Sequence, residues 1–361
     1  FIYGMEEKKE VQVTIVSEKT NNKATKDELL SVIKSVSPGT HMRTGLDGIV
    51  NAKKGALIVV WNPLITDIID GGFKINARLT PQRLVELSKM DGAIVLSKDM
   101  KKILFANTLL VPSSKIKSNE TGTRHKAAER TAKMTGALVI AISERKNEVN
   151  LFLKNIKYTL SGTNEVLRKV NEQLQIIEKE RELFDSHIDK LNKLEIRNYP
   201  NLKQAALVIK KGRLIEKIAN ELKGHIIELG NEGTLFKVRL KELMINAEKE
   251  INLVIKDYTK LDLKKSRLIL NNFSYEELTD IKNIMHCLAY EDVATIEQIK
   301  GWRILSKTVL QEPDIALLTK ELQSLGRVIH SNIDSYKNVL GEEKARLFKE
   351  DIDKIKLSFY S

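Results

Sequence analysis

Two segments of the chain hold residue types that could do chemistry together. The first is Asp91-Gly92-Ala93, a lone carboxylate beside a glycine at the head of the apolar run Ala93–Leu96. The second runs Glu120-Thr-Gly-Thr-Arg-His-Lys-Ala-Ala-Glu-Arg130, a Thr/Gly turn that opens into a basic helix. A carboxylate can hold a divalent metal and help draw a proton from a sugar hydroxyl. A helix N-terminus behind a turn of small residues attracts anions, because its first amides point outward and the helix dipole favours negative charge. The two segments therefore supply both halves of a nucleoside-triphosphate site.

Those segments need a scaffold, and residues 26–155 read as one of mixed strands and helices. Lys26–Val36 is amphipathic and stops before Ser37-Pro38-Gly39. The apolar run Gly55–Trp61 has the length of a buried strand. Thr80-Pro81 should start a helix reaching about Met90, with Thr80 as N-cap and Pro81 in the first helical position. Ala93–Ser97 and Ile103–Asn107 read as two strands around a polar turn. A helix over Arg124–Met134 should end at Gly136, followed by strands at Ala137–Ser143 and Val149–Lys154. This pattern implies an α/β domain, a mixed sheet covered by helices on both faces.

From about Ser161 the period changes. Leu167, Val170, Leu174, Ile177, Phe184, Ile188 and Leu191 follow a spacing of three and four, broken only at Arg181. That seam predicts a long amphipathic helix. Further helices are expected over Asn201–Leu229, Gly233–Asp257 and Ser274–Ala289, in an all-helical spine without evident chemistry. The tail from about Glu291 is also helical, and Asn338–Ala345 places a tight Gly turn between two helices. Turn amides of that kind can hold a DNA phosphate. The domain organisation expected is an N-terminal extension over 1–25, the α/β domain over 26–158, the helical spine over 159–290 and a small helical C-terminal domain over 291–361.

Composition limits the function classes. Aromatics make up 5% of the 361 residues, too few for stacking platforms along single-stranded nucleic acid. The single cysteine, Cys287, rules out an internal disulfide and fits a reducing, cytoplasmic setting. The apolar runs are far too short to span a membrane, so no membrane partner is expected. The net charge of +12 is uneven: residues 1–160 carry +10, whereas residues 291–361 carry −1, with 11 Lys/Arg against 12 Asp/Glu. The basic excess lies with the candidate phosphate site, where it would attract a polyanion.

Five blocks in one order carry a resemblance: Gly71-Gly72-Phe73, Leu87–Ser97 around Asp91-Gly92-Ala93, Ala106-Asn107, Glu120–His125 and Ile142-Ser-Glu-Arg145. Through them, residues from about Lys26 to Lys260 resemble the bacterial diadenylate cyclases of the DisA family. The resemblance implies condensation of two ATP into cyclic di-AMP and two pyrophosphates, with Mg²⁺ or Mn²⁺, between opposed protomers of a homo-octamer. It also implies a helix-hairpin-helix tip that binds branched DNA. It makes Asp91 the metal-holding catalytic residue, with Arg124 and His125 gripping the triphosphate. Gly92, Ala93, Leu110, Thr123, Lys126, Ser143 and Arg145 would line the ATP site. Leu340, Gly341 and Lys344 would form the DNA-binding hairpin.

The chain departs from the family pattern in places. Lys126-Ala127 stands where the family has Arg-Thr, so a planar fork and a hydroxyl are lost. Lys146 stands where an Arg is usual. In the tail Val339 replaces a hairpin glycine and the charge is −1, so weak DNA binding is expected. Two other readings follow from these departures and from the seam: a DNA-junction sensor whose cyclase has decayed, and an oligomeric scaffold.

Overall fold

A computed structural model of the chain describes residues 24–291 and 296–360, so the expected N-terminal extension lies outside the described residues except for its last two. The described chain forms two compact units. One holds the residues up to 170 together with 224–235, and the other holds 171–223 together with 236 onward.

The first unit begins with helices α1 (Lys26–Ser35) and α2 (His41–Asn51). It continues through β1 (Ala56–Val60), β2 (Ile69–Asp70), β3 (Phe73–Arg78), α3 (Pro81–Leu87), β4 (Ala93–Leu96), β5 (Lys102–Leu110), α4 (Thr123–Thr135), β6 (Leu138–Ser143), β7 (Glu148–Leu153) and β8 (Ile156–Leu160). The strands form one sheet in the order β2-β5-β4-β1-β6-β7-β8, with β3 also paired to β5. Only β1 and β4 run parallel, and every other pair is antiparallel. The sheet is mixed and has helices on both faces, as the alternation of strand and helix signals implied.

Side chains alternate across a strand, so each apolar strand feeds two cores. On one face, Ile58, Ile94, Ile140 and Leu151 pack against Met42, Leu46, Ile49 and Leu84 of α2 and α3. On the other, Leu57, Val59, Ala93, Val95, Val139, Ala141 and Phe152 meet Ala128 and Ala132 of α4. Those alanines let α4 lie close to the strands. Gly136 ends α4 in the left-handed conformation at φ 70°, the C-cap its sequence position suggested.

Among the α-helices and strands of this unit, α2, β2, β3 and β8 escaped the sequence reading. The helix α2 contains Gly45 and Gly48, which lower its propensity, but both glycines give space to Leu84 and Val85 of α3. The strand β3, Phe-Lys-Ile-Asn-Ala-Arg, is broken by Asn76 at φ 46° and by a register shift between Lys74 and Ala77, which hide its alternation.

The second unit is helical throughout. Its elements are α5 (Thr163–Ile196), α6 (Leu202–Glu228) and α7 (Thr234–Leu243), each in part, then α8 (Ala247–Tyr258), α9 (Leu263–Asn272), α10 (Tyr275–Thr279) and α11 (Ile281–Cys287). The tail adds α12 (Trp302–Leu305), α13 (Glu312–Leu322), α14 (Leu325–His330), α15 (Ile333–Leu340) and α16 (Glu342–Tyr360). The seam of α5 is buried at Leu174, Ile177, Phe184, Ile188 and Leu191. Arg181, its one break, donates to Asp185 and to the carbonyls of Leu243 and Ile245, and so closes the C-terminal end of α7.

The continuous helix expected over Gly233–Asp257 is two helices. Asn246 takes φ 60° between α7 and α8, a conformation Asn tolerates better than most residues. The helix expected over Ser274–Ala289 is likewise divided, at Asp280, whose side chain caps α11. Helix α9 was not expected. In the tail, Val339 lies inside α15, and the turn itself is made by Gly341 at φ 81°.

Candidate nucleotide site

The N-terminal end of β4, the N-terminal end of β1 and the C-terminal end of β6 share one edge of the sheet. Ile58 of β1 pairs with Ile94 of β4 in parallel, so the Asp91-Gly92 bend ahead of β4 and Gly55 ahead of β1 lie at the same end of two neighbouring strands. Ala56 pairs with Ile142, which brings Ser143 to the same level on β6. Ile142 in turn pairs with Val149, which places Asn150 on the next strand. Asp91, Gly55 and Ser143 thus lie toward one border on three adjacent strands, and Asn150, which pairs with Ala141, stands two residues inside that border on the fourth.

Asp91 is exposed there, and no hydrogen bond or ion pair occupies its carboxylate among the described residues. The backbone that presents it is specialised. Gly92 stands at φ 85°, and a Cβ there would lie 2.8 Å from the carbonyl oxygen of Thr108. The bend therefore requires glycine on both conformational and steric grounds. Opposite it, Asn107 bulges out of β5 at φ 55°, and Thr108 donates to the Ala93 carbonyl at 2.9 Å. The bulge at the exposed Asn107, the buried Thr108 and the glycine opposite fix the position of Asp91 at the end of the sheet.

The turn ahead of α4 is held from the helix itself. Glu129 accepts from the Ser118 hydroxyl and the Asn119 amide, and Arg130 donates to the Ile116 carbonyl. Helices α1, α2 and α3 are each capped by a threonine side chain, whereas α4 begins at Gly122 with no side-chain cap. Its first amides therefore face outward with no side-chain acceptor, beside the exposed Thr123 and Lys126.

Arg124 and His125 leave this helix start in different directions. The Arg124 guanidinium lies over Gly55 at the head of β1, where any side chain would overlap it. Its contact with Glu144 is a loose 4.0 Å between half-exposed groups, so the charge remains available. His125 is half-buried against β7: its Nε2 meets the Asn150 amide at 3.2 Å, and its ring stands edge-on to Phe152. Burial holds the His125 pKa below the ordinary imidazole value, against the opposing pull of Glu120. Glu120 is itself tied to Lys157 at 2.6 Å.

Along the border, Arg124 therefore stands between Asp91 and His125. No hydrogen bond or ion pair joins Asp91 and His125 among the described residues. The remaining expected residues divide in two. Ser143 closes the turn after β6, accepting from the Lys146 amide at 3.3 Å, and Arg145 is exposed on that turn. Ala93 and Leu110 lie in the core on the α4 face, 0% and 7% exposed, so they form a wall with little side-chain surface to offer.

Gly55, Asn150, Thr159 and Phe152 were not read from the sequence as parts of the site. Asn150 had a signal: it is the polar residue inside the apolar strand Val149–Leu153, and such residues are buried only with partners.

The hairpin residues Leu340, Gly341 and Lys344 lie in the other unit. Leu340 is half-buried, and Lys344 is paired with Asp314 at 3.0 Å. Glu342 and Glu343 open α16, adding negative charge where a phosphate would approach.

Residues 43–156 match the family described as DisA bacterial checkpoint controller nucleotide-binding, and residues 160–296 match the DisA bacterial checkpoint controller linker region. The chain is 38% identical to the DNA integrity scanning protein DisA of Acetivibrio thermocellus over 340 residues, 91% of this chain and 94% of that protein. It is 37% identical to the protein of the same name in Bacillus subtilis, over 92% of this chain and 95% of that protein. The Clostridioides difficile protein of that name is 38% identical over 91% of this chain and 95% of its own length. Among the described residues, no helix is long and apolar enough to cross a membrane.

Proposed function

Because the chain belongs to the DisA family of diadenylate cyclases, we propose that its α/β unit joins two ATP molecules into cyclic di-AMP by means of Asp91, Arg124 and His125. The observation that carries this reading is the border itself: a free carboxylate, an available guanidinium and an uncapped helix start stand in sequence across adjacent strand ends. A triphosphate laid along it would meet amides and cations at α4 and a metal-binding oxygen at Asp91.

Joining a 3′-hydroxyl to an α-phosphate needs in-line positioning and charge neutralisation more than covalent help from the protein. Arg124 supplies a planar cation beside Gly55, and the Thr123–His125 amides supply neutral donors. Lys126, Ser143 and Arg145 widen the cationic and hydroxyl-bearing rim. Gly92 allows the nucleotide to approach the backbone closely, and Leu110 with Ala93 forms the apolar wall behind it.

Cyclases of this family are nucleotidyl-transferring enzymes that use a divalent metal ion. The residues here fit such an ion as one that arrives with the nucleotide. Among the described residues, no group of three or more His, Cys, Asp or Glu could hold a metal alone. A single exposed carboxylate suits Mg²⁺ or Mn²⁺, which bind through one or two carboxylates together with substrate phosphates. Asp91 would hold it, and the ion would supply charge neutralisation at the phosphates.

Each protomer would bind one ATP, so the reaction needs two cyclase units face to face, in a cytoplasmic homo-octamer as the resemblance implies. Branched DNA would bind weakly at the tail, since the hairpin cations near Gly341 are already paired with carboxylates.

The test is the product. Incubated with ATP and Mg²⁺ or Mn²⁺, the chain should form cyclic di-AMP, and Asp91→Asn should lower the rate at least about a hundredfold while its circular dichroism stays unchanged. A substituted protein that kept its rate would remove Asp91 from the reaction.

A further inference from the structure

One buried polar residue beside the site belongs to no part of the scheme so far. Asn150 is 2% exposed in the middle of β7, where an apolar side chain would pack without cost. Both ends of its amide are engaged. The Thr159 hydroxyl on β8 donates to Oδ1 at 2.7 Å, and Nδ2 lies 3.2 Å from Nε2 of His125. With the Thr159 hydroxyl donating to Oδ1, Nδ2 is left for the imidazole; the opposite amide orientation would call for an Nε2–H ring, so the His125 tautomer reports which one holds.

The consequence falls on His125. A ring nitrogen that accepts from an amide carries no proton, so in the neutral ring the proton sits on the other nitrogen. That nitrogen, Nδ1, lies 3.7 Å from where a side chain at Gly122 would begin, beside the uncapped start of α4. Phe152, two residues along the same strand face, stands edge-on with ring centroids 6.2 Å apart and restricts the ring's rotation.

We infer that Asn150, oriented by Thr159, is a positioning residue that keeps the His125 proton on Nδ1, aimed at the phosphates of the bound nucleotide. The inference rests on the reading of the α4 start as the triphosphate site. It makes His125 a neutral hydrogen-bond donor, available at any pH above its own titration.

The surroundings of the ring agree. The charged groups that face it are Glu120 before α4, Lys157 on β8, Glu148 on β7 and Lys146 in the β6–β7 turn, two of each sign. Their effects oppose one another, and burial keeps the ring neutral.

The test uses the full chain labelled with ¹⁵N at histidine, with the His125 signal identified by its loss in His125→Gln. Alongside it, the affinity for 3′-deoxy-ATP, which cannot cyclise, is measured from about pH 6 to 9. The wild-type ring should show the Nδ1–H tautomer, and its nucleotide affinity should not change through any His125 titration above neutrality.

In Asn150→Asp the proton should move to Nε2, held by the new carboxylate, and the ring's pKa should rise. Affinity should then persist at low pH and fall about tenfold as the ring titrates. Thr159→Val, which buries no charge, should give a mixture of tautomers with an intermediate loss. An Nε2–H tautomer in the wild-type chain would overturn the inference. So would a pH profile unchanged by Asn150→Asp. Failure of the wild-type chain to bind 3′-deoxy-ATP would overturn the site reading along with it, whereas tight binding with the Nε2–H tautomer would remove the role of Asn150 alone.

Discussion

Gly55 has no chemistry of its own, yet it fixes where a cation can stand. Any side chain at its position would overlap the Arg124 guanidinium. The severe overlap is with the free end of a flexible side chain and the Ile142 carbonyl oxygen stands farther off at 3.2 Å, so the fold should tolerate a substitution there with a small backbone adjustment while the guanidinium moves away. Gly55→Val should therefore weaken nucleotide binding about tenfold, the worth of one charge-assisted contact, with little change in melting temperature. Calorimetric titration beside a thermal melt checks this, and equal loss of stability and affinity would count against it. Gly92 is a different case. Its φ is 85°, and a Cβ at that position would meet the rigid Thr108 carbonyl at 2.8 Å, so substitution there distorts the strand itself. The sequence offered Asp91, Arg124 and His125 as candidates because such side chains in a recognisable order carry their own signal. It did not reveal Gly55 or the Asn150–Thr159 pair, because a glycine before an apolar run has many ordinary uses and a strand asparagine finds its partners only through sheet register.

Elements explain what the periodicity did and did not show. Continuous apolar runs gave β1, β4 and β6, and β7 showed in spite of the interruption at Asn150, since these strands are buried on both faces. The edge elements β2, β3 and β8 carry mixed residues and irregular pairing, so no period marked them. In the helical unit the α5 seam was legible, but its continuation was not, because the positions after Leu191 turn polar. Asn192 and Glu195 are 2% and 1% exposed, and both bind Arg303 of α12, which is fully buried. Tyr258 of α8 donates to the same Glu195 at 3.0 Å, and Asp257 accepts from the Trp302 and Arg303 amides. Removing one partner of a buried pair strands a charge. Arg303→Ala should therefore cost about 3–5 kcal/mol in denaturant unfolding of the helical unit, whereas Arg303→Met with Glu195→Leu should restore most of it. A single substitution as harmless as the double one would show that the network is incidental.

At the scale of the whole molecule, charge is divided as sharply as fold. The net +10 of residues 1–160 accompanies the nucleotide border, while the tail at −1 has Lys344 and Lys337 already paired with Asp314, Asp334 and Glu342. Four-way-junction DNA should accordingly bind only weakly in gel shifts near physiological salt, and nanomolar, salt-sensitive binding lost on deleting residues 291–361 would refute this. The central claim is that Asp91, through a metal, and Arg124, through its charge, act on one triphosphate. The most direct measurement is the affinity for 3′-deoxy-ATP with and without Mn²⁺ in the wild-type chain, Asp91→Asn and Arg124→Ala. Manganese should tighten binding to the wild type and to Arg124→Ala, the latter weaker overall by about tenfold, and should give no gain in Asp91→Asn. A full manganese gain in Asp91→Asn, or unchanged affinity in Arg124→Ala, would contradict the claim.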